Sequence, residues 1–231
     1  MRLTTLIAAA ALSGLACAEN HTYGFHVSSA DTDVDFEGAY ESGARYVSIR
    51  VTEGLNTVDE LASKHWEEAT KAGLLTQAYH SVDFRQLAKD QLDFFLKNGG
   101  DFDRGNSTLP ACFELLPNPD AKGDPCYGLE SGELSDWVRD LGVAYFSKYD
   151  SVTPTLRVNS DWWDNCTYSQ DLQTYKLERG AINYESDKIP ESHNEYWFYK
   201  YWEYAPHYEF GGRAALYIWD YEQLKALTSR P

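Results

Sequence analysis

Residues 109–119 read LPACFELLPNP, and residues 126–129 read CYGL. The apolar run between the two flanking prolines indicates a β-strand, and its one ionisable carboxylate is Glu114. Side chains on a strand alternate between its two faces, so Cys112, Glu114 and Leu116 project to the same side.

Strand-like and helix-like segments alternate around this run. Strands are predicted at residues 23–27, 46–52, 74–80, 109–116 and 155–159, and helices at residues 58–72, 86–98, 132–147 and 169–177. Thr57 is predicted to cap the first helix, with Glu60 completing a capping box. This alternation predicts an α/β fold, with a parallel sheet and helices outside it. After residue 181 the spacing shortens, as expected of closing strands with fewer helices.

The chain is predicted to be one exported domain. Residues 1–18 have a charged start, an apolar run and a small-residue end, which is the pattern of a cleaved secretory signal. The apolar run is too short to span a membrane. Residues 19–231 contain no repeat, low-complexity tract or linker, so we expect a single secreted, extracellular domain.

The strand at 109–119 resembles the catalytic strand of glycoside hydrolase family 25, the fungal, Chalaropsis-type N-acetylmuramidases or lysozymes. In that family the strand reads Leu-Pro, three small or apolar residues, Asp-x-Glu, an aromatic residue, Asn-Pro and then Cys-Tyr-Gly-Leu. An alignment without a gap puts Glu114 where the family has Asp, and Leu116 where it has the catalytic Glu. The resemblance therefore implies that the catalytic carboxylates are substituted.

Such a substitution has a direct chemical cost. Most glycosidases need one carboxyl group to protonate the leaving oxygen and a second at the anomeric carbon, and Leu116 supplies neither. A two-residue slip of the alignment is the alternative. It would put Glu114 in the place of the acid and Cys112 in that of the Asp, at the expense of the match at Asn118-Pro119.

The ends of the chain carry the same resemblance with the same kind of loss. The family's first strand reads Gly-Ile-Asp-Val-Ser, and here residues 24–28 carry His26 in place of the Asp. Near the C-terminus the family has Asp-x-Asp before an aromatic residue and a final helix. The matching residues here are Arg213-Ala214-Ala215, Tyr217 and the segment 223–227.

The remaining matches concern the scaffold. The resemblance runs from Tyr23 to about Leu227, and it implies a TIM-like barrel of five strand–helix units followed by three closing strands. The matching segments are residues 47–54, 73–80, 154–160, Trp162-Trp163, Cys166-Thr167 and 201–205, with Glu203 where the family usually has Gln.

Aromatic residues near the implied cleft are candidates for binding sugars, because aromatic rings stack on the apolar faces of saccharides. The alternative is core packing, since alternate residues of a strand must point inward. In the segment 198–204, Tyr199, Tyr201 and Glu203 share one face, and the other residues share the opposite face. The candidate ligand-binding residues are Glu53, Tyr79, His80, Trp162, Trp202 and Glu203.

His26 is a further candidate. A His beside carboxylates can be a general base or a metal ligand, but it can equally be a satisfied polar residue in the place of an Asp. Zinc-site spacing is absent from the sequence, and no cofactor is implied.

Export favours disulfide formation. Cys17 is lost with the signal, and the resemblance implies a bridge between Cys126 and Cys166. Cys112 then remains as a thiol, interpreted as a core residue rather than a nucleophile. Three Asn-x-Ser/Thr sequons are candidate glycosylation sites, at Asn20, Asn106 and Asn165.

The charge balance excludes some partners. The chain has 20 basic and 36 acidic residues and a net charge of −16, which disfavours nucleic acid and anionic membranes. Three hypotheses remain for a monomer of this kind. The first is an impaired muramidase-like barrel that binds peptidoglycan, another cell-wall glycan or a protein. The second is an active glycosidase using Glu114, and the third is a secreted effector or decoy without sugar binding.

Overall fold

A computed structural model describes residues 21–103, 107–120, 122–167, 177–184 and 199–229. In these residues the strands are β1 Thr22–Val27, β2 Tyr46–Glu53, β3 Thr57–Val58, β4 Leu75–Ser81, β5 Thr108–Leu115, β6 Thr155–Asn159, β7 Glu178–Ile182, β8 Tyr199–Ala205 and β9 Arg213–Tyr217. The helices are α1 Phe36–Glu41, α2 Ala62–Ala72, α3 Ala88–Phe95, α4 Ser131–Lys148, α5 Ser160–Cys166 and α6 Tyr221–Ala226. A wide helical turn, Leu96–Gly100, follows α3, and a tight one, Leu227–Ser229, follows α6.

Eight of these strands close into a barrel. The sheet order is β1-β9-β8-β7-β6-β5-β4-β2, and β1 also pairs with β2, which closes the ring. Neighbouring strands run parallel except that β9 is antiparallel to both β8 and β1. Five strand–helix units come first and β7, β8 and β9 follow, so the predicted architecture is confirmed.

The start of α2 differs from the prediction. Thr57 and Val58 pair antiparallel with Glu53 and Thr52 as the short strand β3, and the helix begins only at Ala62. The carboxylate of Asp59 explains the delay, because it accepts hydrogen bonds from the backbone N–H of Leu61 and of Ser29. The helix predicted at 169–177 lies almost entirely outside the described residues.

The barrel interior has two halves. At the end where the parallel strands begin and β9 finishes, it is filled by an aromatic plug, which we define as Tyr46, Leu75, Leu109, Tyr201 and Tyr217. Tyr46 and Tyr201 lie on strands that are not neighbours, yet their ring centroids are 6.0 Å apart, so this contact crosses the barrel.

Gly24 makes room for the plug. A Cβ at this position would lie 2.3 Å from the ring of Tyr46, which is too close for any side chain. The other half of the interior, at the end where the parallel strands finish and β9 begins, is polar and charged.

A second apolar layer packs the outside of the barrel against the helices. It includes Phe113 and Leu115 of β5, Leu141 of α4 and Trp163 of α5, all fully buried. Within the described part of the chain, no helix is long and apolar enough to cross a membrane.

Candidate functional site

Four charged side chains meet inside the barrel, at the end where the parallel strands finish and the antiparallel strand β9 begins. They are Glu114 of β5, Arg157 of β6, Glu203 of β8 and Arg213 of β9, and we call them the ion cluster. In TIM-type barrels this end carries the active site, because the loops that follow the strands meet there.

Glu114 is held by three donors. Its Oε2 accepts a hydrogen bond from Ser81 Oγ at 2.7 Å, and its Oε1 accepts from Arg157 Nη2 at 2.5 Å and from Arg213 Nη1 at 3.2 Å. Burial raises the pKa of the Glu114 carboxyl, and the positive charge of Arg213 acts against that rise. Hydrogen bonds from two guanidinium groups and a hydroxyl stabilise the ionised carboxylate.

Glu203 lies deeper and shares both arginines. Its Oε2 is 3.3 Å from Arg157 Nη1 and 3.2 Å from His26 Nδ1, and its Oε1 is 3.6 Å from Arg213 Nη1. The hydroxyl of Tyr184 donates a hydrogen bond to Oε1. Because Glu114 and Glu203 share one nitrogen of Arg213, their carboxyl groups are less than ~7 Å apart, a separation that glycosidases also use.

Arg157 is the buried cation of the cluster. Its side chain is almost completely buried, and burial lowers its pKa to about 9, so it remains charged at neutral pH. The guanidinium carbon also lies 4.5 Å from the centre of the Tyr79 ring. A buried charge persists only when it is paired, and Arg157 has a carboxylate on each side.

Arg213 is the part of the cluster nearest to solvent. Its side chain is 27 % exposed, and its Nη2 donates to the hydroxyl of Tyr79 at 3.1 Å. Burial disfavours the charge on Arg213, but Glu203, Tyr79 and Glu114 outweigh it and raise the pKa of the guanidinium group.

A cleft of about 440 Å³ opens above the ion cluster. Its floor includes Glu114, Arg213 and Tyr79, and Leu116 lies in its wall directly after β5. The other lining residues are Ser28, Ala30, Asp31, Arg50, Glu53, Ser81, Val82, Pro117, Pro119, Tyr127, Pro206 and His207.

The structure brings only some of the predicted site residues to this cleft. Glu114, Leu116, Glu53 and Tyr79 line it. His26 and Glu203 are buried beneath it, where they face each other.

The other three predicted residues lie outside the barrel wall. His80 is buried between Thr52 Oγ1 and Gln91 Oε1, and burial lowers its pKa to about 4. Trp162 packs on Phe84, and Trp202 packs on Tyr204. Both indoles donate to backbone carbonyl groups, so these side chains belong to the packed layer under the helices.

The structure contains the predicted disulfide. Cys126 and Cys166 form a disulfide with their Cα atoms 5.4 Å apart, which ties the loop after β5 to the end of α5. Cys112 is a buried free thiol, and burial raises its pKa. Asn165 is exposed on α5, whereas Asn20 and Asn106 lie outside the described residues.

The sequence reasoning missed Arg157, and it treated Arg213 only as a lost Asp. A charged residue in the middle of the apolar strand at 155–159 was the available signal for Arg157. Glu114 and Arg157 are direct neighbours in the register of β5 and β6, so the pair follows once the strands are adjacent. Among the described residues, no group of three or more His, Cys, Asp or Glu side chains is arranged to hold a metal ion.

Comparison with known proteins gives consistent matches. Residues 25–213 match glycosyl hydrolases family 25. An N,O-diacetylmuramidase of Arthroderma benhamiae is 29% identical over 96% of this chain and 95% of its own length. A family GH25 lysozyme from Aspergillus fumigatus superposes with a TM-score of 0.82, at 30% identity over 91% of this chain and 100% of that one. A muramidase from Acremonium alcalophilum superposes with a TM-score of 0.83, at 28% identity over 90% of this chain and 98% of that one.

Proposed function

Because the chain belongs to glycosyl hydrolases family 25, we propose that it is a lysozyme-like barrel that binds a cell-wall glycan, such as peptidoglycan, without hydrolysing it. We propose further that residues 1–18 are a secretory signal and that residues 19–231 act outside the cell as a single domain. The charged start and short apolar run of the first 18 residues support that location.

The observation that carries the proposal is that three donors hold Glu114. One oxygen accepts from two guanidinium groups and the other accepts from Ser81, so all three contacts are with donors. A general acid must hold a proton, and a nucleophile must direct a free lone pair at the substrate. We propose that the two guanidinium groups keep Glu114 ionised and fixed in place, so that it performs neither task.

Glu203 does not supply the missing second group. It is less than ~7 Å from Glu114, close enough for a glycosidase pair. Its side chain, however, is fully buried below Arg213, and it also contacts Arg157 and His26. Because Arg157 and Arg213 contact both carboxylates, a sugar ring has no open position between Glu114 and Glu203.

Leu116 removes the acid from the cleft. The alignment matches it with the catalytic Glu of the family, and its side chain lies in the wall of the cleft. A Leu donates no proton, and general acid catalysis alone contributes ~10²–10⁴ in rate. A cleft that keeps its shape and loses its acid can still bind a saccharide.

An active glycosidase that uses Glu114 is the second candidate. One observation favours it: Glu114 lines the cleft, and burial raises its pKa, which is the direction a general acid requires. The two candidates differ in one measurable property, which is whether the protein cleaves the glycan that it binds.

The test measures hydrolysis and binding on the same material. Clearing of a bacterial cell-wall suspension is followed for the parent protein, for Glu114→Gln and for Glu60→Gln, a control at an exposed carboxylate. We expect none of the three to clear the suspension above the buffer rate. We also expect the parent to sediment with insoluble peptidoglycan.

Two results would contradict the proposal. Clearing by the parent and by Glu60→Gln, with loss of clearing in Glu114→Gln, would identify Glu114 as a working catalytic group. Absence of both clearing and sedimentation would favour an effector or decoy without sugar binding.

A further inference from the structure

The charged group that the floor of the cleft exposes is a cation. Arg213 has 27 % of its side chain exposed, whereas the side chain of Glu114 is 4 % exposed and that of Glu203 is fully buried. The carboxylates therefore lie beneath the guanidinium group, and a ligand entering the cleft meets Arg213 first.

Arg213 keeps donors for such a ligand. A guanidinium group has five N–H donors. Nη1 serves Glu114 and lies 3.6 Å from Glu203, and Nη2 donates to Tyr79. Nε makes no hydrogen bond to any residue in the described ranges, so a planar acceptor can still be bound without breaking the ion cluster.

The ion cluster is balanced before any ligand arrives. Two glutamates share two arginines, and Glu114 is also held by Ser81 while Glu203 is also approached by His26. The carboxylates are thus stabilised from below, and they do not depend on Arg213 alone.

Three further charged groups line the cleft walls, Arg50, Glu53 and Asp31, and each has a contact within the protein. Arg50 contacts Asp59 at 2.9 Å and Glu53 at 3.0 Å, and Asp31 accepts from the backbone N–H and the hydroxyl of Ser28. The net charge of −16 repels distant anions, so recognition of an anion here must come from direct contact with a cation.

We propose that this cleft selects saccharides that carry a carboxylate, namely uronic-acid oligosaccharides, over neutral ones, and that Arg213 binds the carboxylate. This inference rests on the proposed glycan binding. Guanidinium and carboxylate groups match in shape and charge, and their hydrogen bonds are about twice as strong as neutral ones. Tyr127, which lines the cleft and is half-buried, provides aromatic surface beside that contact.

The experiment compares one sugar in two charge states. Tetragalacturonate, its full methyl ester and neutral chitotetraose are titrated calorimetrically into the parent protein. Esterification keeps the hydroxyl groups of the sugar, adds one methyl group to each carboxyl group and removes the negative charge. We expect the acid to bind at least about tenfold more tightly than the ester, because a hydrogen bond to a charged group contributes more than a neutral one.

Two variants assign the preference to a residue. In Arg213→Gln the acid should bind as weakly as the ester, while the ester itself should change less than about twofold. Arg139→Gln, which removes an arginine from the outer face of α4, should leave all three affinities unchanged. If near-ultraviolet circular dichroism shows that Arg213→Gln does not fold, Arg213→Lys takes its place. The ratio of acid to ester affinity in the parent and in Arg213→Lys then decides whether Arg213 binds the carboxylate.

The possible outcomes distinguish the carboxylate preference from the glycan binding on which it depends. Equal affinity for acid and ester, or tighter binding of the neutral sugars, would overturn the carboxylate preference and leave glycan binding intact. Binding of none of the three sugars, combined with no sedimentation with peptidoglycan, would overturn both. An unchanged preference in a folded Arg213→Gln variant would rule out Arg213 as the binding group.

Discussion

Arg157 and Glu114 are register partners on neighbouring parallel strands, and Arg157 Nη2 donates to Glu114 Oε1 at 2.5 Å. Both side chains are almost fully buried, so water compensates neither charge. The same guanidinium group reaches Glu203 through Nη1 at 3.3 Å. One arginine thus stabilises two carboxylates inside the barrel, and this contact links the stability of the fold to the chemistry of the cleft.

We expect Arg157→Met to destabilise the fold by about 3–5 kcal/mol, because it leaves two buried carboxylates short of a partner. Urea unfolding at pH 7 measures the change. The double variant Arg157→Met/Glu114→Gln should recover part of the loss, since it also removes one of the orphaned charges. If the loss of unfolding free energy in the double variant equals the sum of the losses in the two single variants, Arg157 and Glu114 are not coupled.

Restoring the family pattern should restore hydrolysis. A variant with His26→Asp, Glu114→Asp, Leu116→Glu, Arg213→Asp and Ala215→Asp is expected to clear a cell-wall suspension above the parent rate. The arginine must change together with the others, because Arg213 Nη1 binds the carboxylate at position 114.

The matched control for that variant carries Leu116→Gln in place of Leu116→Glu. Gln has the same shape as Glu without the proton to donate, so this control should stay at background. Equal clearing by both would mean that position 116 is not the acid, and clearing by neither would mean that other changes disabled the cleft.

His80 should make stability depend on pH. Its pKa is about 4 in the folded protein and 6.5 in the unfolded chain, so the unfolded state binds an extra proton between these values. Stability from this group is therefore fully present above pH 6.5 and is lost as the pH falls toward 4, by about 2 kcal/mol between pH 7 and pH 4.5.

The variant His80→Gln isolates this contribution, because every other titrating group is shared with the parent. The difference in unfolding free energy between the two proteins should shrink by that amount over the same pH range. A difference that stays constant with pH would show that His80 binds a proton equally in both states.

The disulfide between Cys126 and Cys166 should contribute about 4 kcal/mol, because it closes a loop with a sequence separation of 40 residues. The double variant Cys126→Ser/Cys166→Ser is expected to have an unfolding free energy lower by that amount, and urea unfolding measures the difference. A separate prediction concerns Cys112. A thiol-specific reagent should react with this side chain only after the protein unfolds, since it is buried. Fast reaction of the native parent with one equivalent would contradict that burial.

The barrel was predictable because its signals are local and repeated. Each strand–helix unit has its own apolar run and helical segment, and the run at 109–116 differs from β5 by only one residue at each end. The short strand at Thr57–Val58 was missed because its partner is β2 and because Asp59 uses its carboxylate on neighbouring backbone groups.

The composition of the site was harder to predict for a geometric reason. Alternation correctly groups Tyr201 with Glu203, but it does not tell which group faces the barrel axis. His80, Trp162 and Trp202 were therefore assigned to a cleft that their side chains do not reach. Arg157 was overlooked because its significance depends on Glu114 and Glu203, which are distant in sequence and meet it only after the strands close.

The aromatic plug and the cleft lie at opposite ends of the barrel, so packing of the core and binding of a ligand depend on different residues. Tyr46 and Tyr201 fill the space between non-adjacent strands without help from the cleft. At the open end, charges are compensated in pairs, Glu114 with Arg157 and Glu203 with Arg213, so a substitution that removes one member leaves the other without its partner. The packing of the plug involves none of these four charged groups, so a change of charge in the cleft leaves the apolar contacts at the opposite end of the barrel in place.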